Sequence, residues 1–211
     1  MFLLIFGVSD TIQQMIGFGN CPDFNSRMKD FDVAQYIGLW YEQYRHFISQ
    51  EIGTSCTQVN LTNSEEGSFL YQITFFNSWN DEYDTITGTA RFEAPVSEGK
   101  FSLSFPGQGN SSVKYNILDT DYESYSVVWS CENKSGYNLR NVWIFTREQH
   151  PLNETLQKAF AILKKHNLSA KFLIKSDQSN CLKPDIEYEI ETDPDAEYID
   201  DINLKKNLEE V

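Results

Sequence analysis

Four cysteines, Cys21, Cys56, Cys131 and Cys181, carry the most decided chemistry in this sequence of 211 residues. None stands in a Cys-x-x-Cys pair, so the spacing fits neither a zinc knuckle nor a thioredoxin-type redox site, and no metal site is expected. An even, dispersed set reads as two long-range disulfides made in an oxidising compartment. Five Asn-x-Ser/Thr triplets, at Asn60, Asn110, Asn133, Asn153 and Asn167, are glycosylation acceptors in a secreted chain and point the same way. Neither His-Glu-x-x-His nor Gly-x-Ser-x-Gly occurs, and His46, His150 and His166 fall outside the inward positions of the expected strands. No catalytic residue is assigned.

Charge and length narrow the class further. With 31 acidic and 17 basic side chains the net charge is −14, which lacks the cationic surplus a duplex nucleic-acid binder needs. The acidic residues are unevenly placed: residues 184–211 hold 11 acidic and 2 basic side chains, a charge of −9, leaving −5 for residues 1–183. That terminal segment has no core-sized apolar stripe and is expected to be a flexible acidic tail. Its Tyr188 and Tyr198, flanked by carboxylates, are sulfation acceptors, against the plainer reading of an unmodified solubilising tail. At the other end, residues 1–18 read as a weak or truncated signal peptide, with a misassigned start as the alternative: the apolar run 1–8 has no preceding basic residue and Ser9-Asp10 ends it early. The remaining 19–183 has the length of one domain.

Between those ends, short aromatic and β-branched runs alternate with Gly, Asn, Asp and Ser clusters. They predict eight strands at 38–44, 57–61, 69–77, 84–93, 100–105, 112–119, 124–131 and 141–146, joined by turns too short for anything but antiparallel neighbours. An all-β, eight-stranded up-and-down barrel follows, with room for one small ligand, and a sandwich is the alternative. Leu156, Ala159, Phe160 and Leu163 then recur at helical spacing, predicting one C-terminal helix near 153–166 with Asn153 as its cap and Lys164 and Lys165 in its last turn. Ala170, Phe172 and Ile174 alternate as a ninth, edge strand.

Three blocks of residues resemble the lipocalin family, in its apolipoprotein D-like and insect bilin-binding branch. Phe31-Asp32-Val33 with Tyr36-Ile37-Gly38-Leu39-Trp40-Tyr41-Glu42 is similar to the family's Gly-x-Trp motif; Thr120-Asp121-Tyr122 with Tyr125 is similar to its second block; Trp143-Ile144-Phe145-Thr146-Arg147 is similar to its arginine block. The resemblance spans about 21–183 and leaves the tail unexplained. It implies that Trp40 and Arg147 close one barrel end, the guanidinium stacking on the indole. It also implies the pairings Cys21–Cys131 and Cys56–Cys181. If Cys131 points outward, alternation turns Tyr125, Val127 and Trp129 outward, Trp129 to the surface or under the N-terminal arm, and Ser126 and Val128 inward, unless a bulge intervenes.

The resemblance also implies an extracellular carrier of one small hydrophobic molecule, a sterol, fatty acid, retinoid or bilin, with no cofactor required. Trp143 and Tyr115 match pocket positions; Asn116 stands where the branch carries another aromatic and Leu61 where it carries a tyrosine, so the branch's ligand is not carried over. Tyr44, sharing parity with Trp40 and Glu42, is added to the candidate ligand-binding set, with Tyr71, Ile73 and Phe75 on the third strand. Glu42 either reads a ligand's amine or pyrrole hydrogen from inside the barrel, or sits at the rim or pairs with Arg45 or Arg147. A free cysteine would be needed for the prostaglandin-isomerase chemistry of a few family members, and all four match disulfide positions. The other reading is a secreted interaction module that captures proteins or amines through loops and tail. Contact with a membrane or lipoprotein surface is compatible with a carrier; no partner protein is indicated.

Overall fold

A computed structural model describes residues 15–22, 28, 30–48, 51–64, 67–93, 98–107 and 112–181. The acidic tail, Asn110 and residues 1–14 lie outside the described residues. The strands are β1 (Met15–Phe18), β2 (Gly38–His46), β3 (Thr54–Asn63), β4 (Ser68–Asn77), β5 (Glu82–Phe92), β6 (Lys100–Ser104), β7 (Val113–Thr120), β8 (Tyr125–Asn133), β9 (Tyr137–Thr146) and β10 (Leu173–Lys175), with helices α1 (Val33–Tyr36) and α2 (Asn153–Lys165). Each of β2 to β9 pairs antiparallel with its sequence neighbour, and β9 pairs back onto β2, so eight strands close into a barrel. β1 and β10 are additions, on β9 and β2 respectively.

β2 makes the closure by dividing its length. Its residues 38–41 face β3, residues 41–45 face β9, and residues 44–46 face β10. β10 therefore occupies the edge that β3 leaves. A bulge between Glu42 and Tyr44 adjusts the strand to these partners and reverses which residues point inward.

Side-chain alternation gives the sheet two buried faces. Inside are Trp40, Leu61, Phe69, Phe101, Val128, Trp143 and Phe145 among others. Outside, Tyr125, Val127, Trp129, Val142 and Ile144 are covered by Ala159 and Leu163 of α2. β8 obeys the expected parity, and the Ser126 hydroxyl meets that of Tyr36 at 2.8 Å. Trp129 is outward and not at the surface: it is 2 % exposed in the cluster that holds Ala159 and Leu163 of the helix.

The closed end is held by Arg147. Its guanidinium lies 3.7 Å from the Trp40 ring and donates to the carbonyls of Gln35, Tyr36, Ile37, Leu39 and Tyr122, all within 3.2 Å. Trp40 Nε1 donates to the Tyr36 carbonyl at 2.9 Å, the turn of α1 that Asp32 caps. Gly38 has φ +105, and a Cβ there would come within 3.2 Å of Arg147 Nη1, so glycine serves both the backbone and the guanidinium. In the Thr120-Asp121-Tyr122 turn, Tyr122 N–H donates to Thr120 Oγ1 and Asp121 Oδ1 accepts from the amides of Ser124 and Tyr125. Gly38, Trp40, Thr120, Asp121, Tyr122 and Arg147 form one structural knot away from the cavity.

Both disulfides are those the resemblance implied, Cys21–Cys131 and Cys56–Cys181. Met15–Phe18 pairs with β9. Two local expectations change. Leu152, in extended backbone, takes the cap position of α2, so Asn153 is its first helical residue rather than its cap. Residues 170–172 form a 3₁₀ turn started by Ser169, whose Oγ accepts from Lys171 N–H, and the edge strand begins only at Leu173.

Because Arg147 satisfies five carbonyls and one ring face, Arg147→Ala is expected to cost about 3 kcal/mol, read as a lower urea midpoint. Arg147→Lys should recover less than half, since an ammonium lacks the planar fork. A midpoint unchanged in Arg147→Ala would remove the guanidinium from this role.

Candidate functional site

Between the closed-end core and the opposite mouth lies a cavity of about 170 Å³. One wall is apolar and comes from alternation on β3 and β4, which places Val59, Tyr71, Ile73 and Phe75 inward. The facing wall is Tyr115 from β7 with Trp143 and Phe145, two residues apart on β9. These rings are locked together: Phe101 stacks on Tyr115 at 5.4 Å and Tyr115 on Trp143 at 5.0 Å, with interplanar angles of 8° and 22°. Such offset stacks fix the rotamers of the wall before any ligand arrives. Burial pushes the Tyr71 and Tyr115 phenols well above their usual range, so both present neutral hydroxyls.

The third part of the lining is charged. Glu42 is 2 % exposed and reaches the cavity. Arg45 Nε lies 3.2 Å from Glu42 Oε1 and also contacts Glu51 Oε2, while Arg45 Nη2 donates to the Glu51 carbonyl at 2.9 Å. Ser176, just beyond β10, donates its hydroxyl to Glu42. The Gln178 amide donates to the carbonyls of Glu42 and Thr57, at 2.9 and 2.8 Å, and so joins β2 to β3 where the two strands part. Glu42 is thus both inward and paired with Arg45, whereas Arg147 is engaged at the closed end. Burial raises the Glu42 carboxyl, and burial with the neighbouring Glu42 charge pushes Glu51 up to about 8.

Of the residues chosen from the sequence, Trp143, Tyr115, Tyr71, Ile73 and Phe75 meet at this cavity. Tyr44 does not. The bulge after Glu42 turns Arg45 inward and Tyr44 outward, where its ring packs edge-on against Phe160 of α2 at 5.0 Å. Asn116 cannot share a face with Tyr115, and its amide donates to the Trp129 carbonyl on β8 at 3.4 Å. Leu61 is buried in the inner core and is not part of the lining. Sequence reasoning missed Glu51, Thr54, Thr57, Val59, Ile86, Phe105 and Phe145. Phe145 was accessible by alternation from Trp143; Glu51 was not, because it is brought in by the turn after β2. Among the described residues no group of three or more His, Cys, Asp or Glu is arranged to hold a metal ion.

The family model described as "Lipocalin / cytosolic fatty-acid binding protein family" matches residues 37–180. Lazarillo protein of Schistocerca americana is 32% identical over 185 residues, covering 84% of this chain and 82% of that protein. Apolipoprotein D of Cavia porcellus is 29% identical over 178 residues, 82% of this chain and 90% of it. The solved structure of insecticyanin from the tobacco hornworm Manduca sexta superposes with a TM-score of 0.69 at 22% identity, over 78% of this chain and 89% of it.

The raised Glu51 carboxyl links stability to pH. Its folded value lies above the unfolded one, so the folded chain holds a proton that the unfolded chain releases, and stability falls as pH rises from about 4.5 to about 8. The stability of the wild type minus that of Glu51→Gln should decline across this window by urea titration. Taking the difference cancels His46 and His166, whose burial lowers their values and acts oppositely. A pH-independent difference would contradict the assignment.

Proposed function

The chain belongs to the lipocalin family, and from that premise we propose that it is an extracellular carrier holding one small hydrophobic ligand, a sterol, fatty acid, retinoid or bilin, in the barrel cavity. The observation that carries this reading is the cavity walled by Tyr71, Phe75, Tyr115 and Trp143 and open at the mouth. Burying a ligand there supplies about 2.5 kcal/mol per 100 Å² of apolar surface, with the tyrosine hydroxyls and the Glu42 cluster left to set orientation.

Secretion is supported by the two disulfides and by the exposure of Asn133, Asn153 and Asn167, with Asn60 half-buried. Loading from a membrane or lipoprotein surface is supported by Phe47, Ile52, Trp79 and Ile86, large apolar side chains left exposed towards the mouth. Trp79 is tied there by its Nε1–H, which donates to the Ile52 carbonyl at 3.1 Å. The absence of a free thiol among the described cysteines is consistent with binding rather than isomerase chemistry.

Native mass spectrometry with organic extraction of the secreted protein reads the ligand mass directly, and blue-green absorbance identifies a bilin. With the delipidated protein, Trp143→Ala should weaken binding at least about tenfold, or 1.4 kcal/mol, in fluorescence quenching, while Trp79→Ala stays within about twofold. Failure of the delipidated wild type to bind any member of a sterol, fatty acid, retinoid and bilin panel would sink the carrier reading.

A further inference from the structure

The aromatic walls ask only that a ligand be apolar; the charged wall asks for more. Glu42 and Glu51 both line the cavity, and among the described residues a single cation, Arg45, stands against them. Arg45 is 7 % exposed and already committed, its Nε to the two carboxylates and its Nη2 to the Glu51 carbonyl. Two carboxylates against one guanidinium leave a formal charge of −1 on the wall of a largely apolar space. The other titratable groups facing them are the Tyr71 phenol from β4 and the Tyr115 phenol from β7, which stay neutral. Ser176, from the segment after β10, adds one hydroxyl donor to Glu42.

An unbalanced charge in such a site is costly, and the empty barrel offsets it by retaining a proton on the carboxylate pair. A ligand can take that proton's place if it brings its own positive charge. Resting on the carrier reading, we propose that the cavity selects a molecule with an apolar body and one protonated amine, the ammonium donating to Glu42 and Glu51 while the body packs between Tyr115, Trp143 and Phe75. A ligand carboxylate meets the opposite situation, because Arg45 has been claimed by two glutamates and a third carboxylate adds to their charge. A neutral alcohol fits the walls but leaves the retained proton in place and gains no charge-assisted bond. The exchange balances simply: the ammonium enters, and one proton leaves the carboxylate pair for solvent. Binding therefore strengthens as pH rises towards 8 and weakens again once the free amine loses its own proton.

The test uses the full disulfide-bonded chain and three matched probes below their micellar concentrations: decylamine, decanol and decanoate, followed by tryptophan quenching. At pH 7.5 decylamine should bind at least about tenfold more tightly than decanol, as expected of a charge-assisted hydrogen bond, and decanoate more weakly than decanol. Decylamine affinity should drop roughly seventyfold between pH 7.5 and 5.5, close to one decade per pH unit for one proton released. Glu42 is deeply buried and bonded to Ser176, so the diagnostic variant is Glu51→Gln, in which the amine-to-alcohol ratio should fall to within about twofold of one. Decanoate matching or exceeding decylamine, equal binding of all three, or a ratio that survives Glu51→Gln would overturn the amine reading and leave the carrier intact. Binding of none of the three would overturn both.

Discussion

β2 has to satisfy three partners at once, and most of the molecule follows from how it does so. A barrel of eight strands closes only if one strand is shared between the first and last hairpins. Here residues 38–41 serve β3 and residues 41–45 serve β9, so the edge facing β3 is vacated halfway along. Unpaired backbone groups in a buried wall are expensive, and the segment after α2 fills the gap. Residues 173–175 pair as β10, Ser176 N–H donates to the Gln43 carbonyl, and the Gln178 amide spans to Thr57. Cys56–Cys181 then anchors that segment to β3.

The bulge this division imposes has a chemical consequence. In a regular strand Trp40, Glu42 and Tyr44 would share the inner face. With one extra residue the inner series becomes Trp40, Glu42 and Arg45, and a tyrosine is exchanged for a guanidinium. The buried Glu42 carboxylate is tolerable because of that exchange; alone, a charge at 2 % exposure would be neutralised or excluded. The same shift moves Tyr44 to the outer face, where it helps seat α2. Charge inside the barrel and helix packing outside it are thus two outcomes of one backbone irregularity.

The two barrel ends divide the work. At the closed end, Arg147 gathers five carbonyls and the Trp40 ring, so polar backbone that would otherwise be stranded by the turn into β2 is satisfied by one side chain. At the other end, stacked rings leave space unfilled and an ion cluster sits on its wall. A rigid floor allows the mouth to remain incompletely packed.

Patterns repeated along the chain were legible before any coordinates. The eight strands and the helix carrying Ala159 and Leu163 follow from periods of 2 and 3.6, whereas the pocket places of Trp143 and Tyr115 rest on the resemblance to the lipocalin family. Single departures from those periods were not. Tyr44 was misplaced by one bulged residue, Asn116 stands on the face opposite its neighbour Tyr115, and β1 is too short to announce itself. Glu51 was invisible as a cavity residue because only the turn after β2 brings it to Arg45. The sequence by itself determined the barrel, its cysteine set and its aromatic interior, since these are periodic or local. Tertiary structure alone decided that the cavity carries two carboxylates and one arginine, because that depends on where a strand shared by three partners must break its alternation.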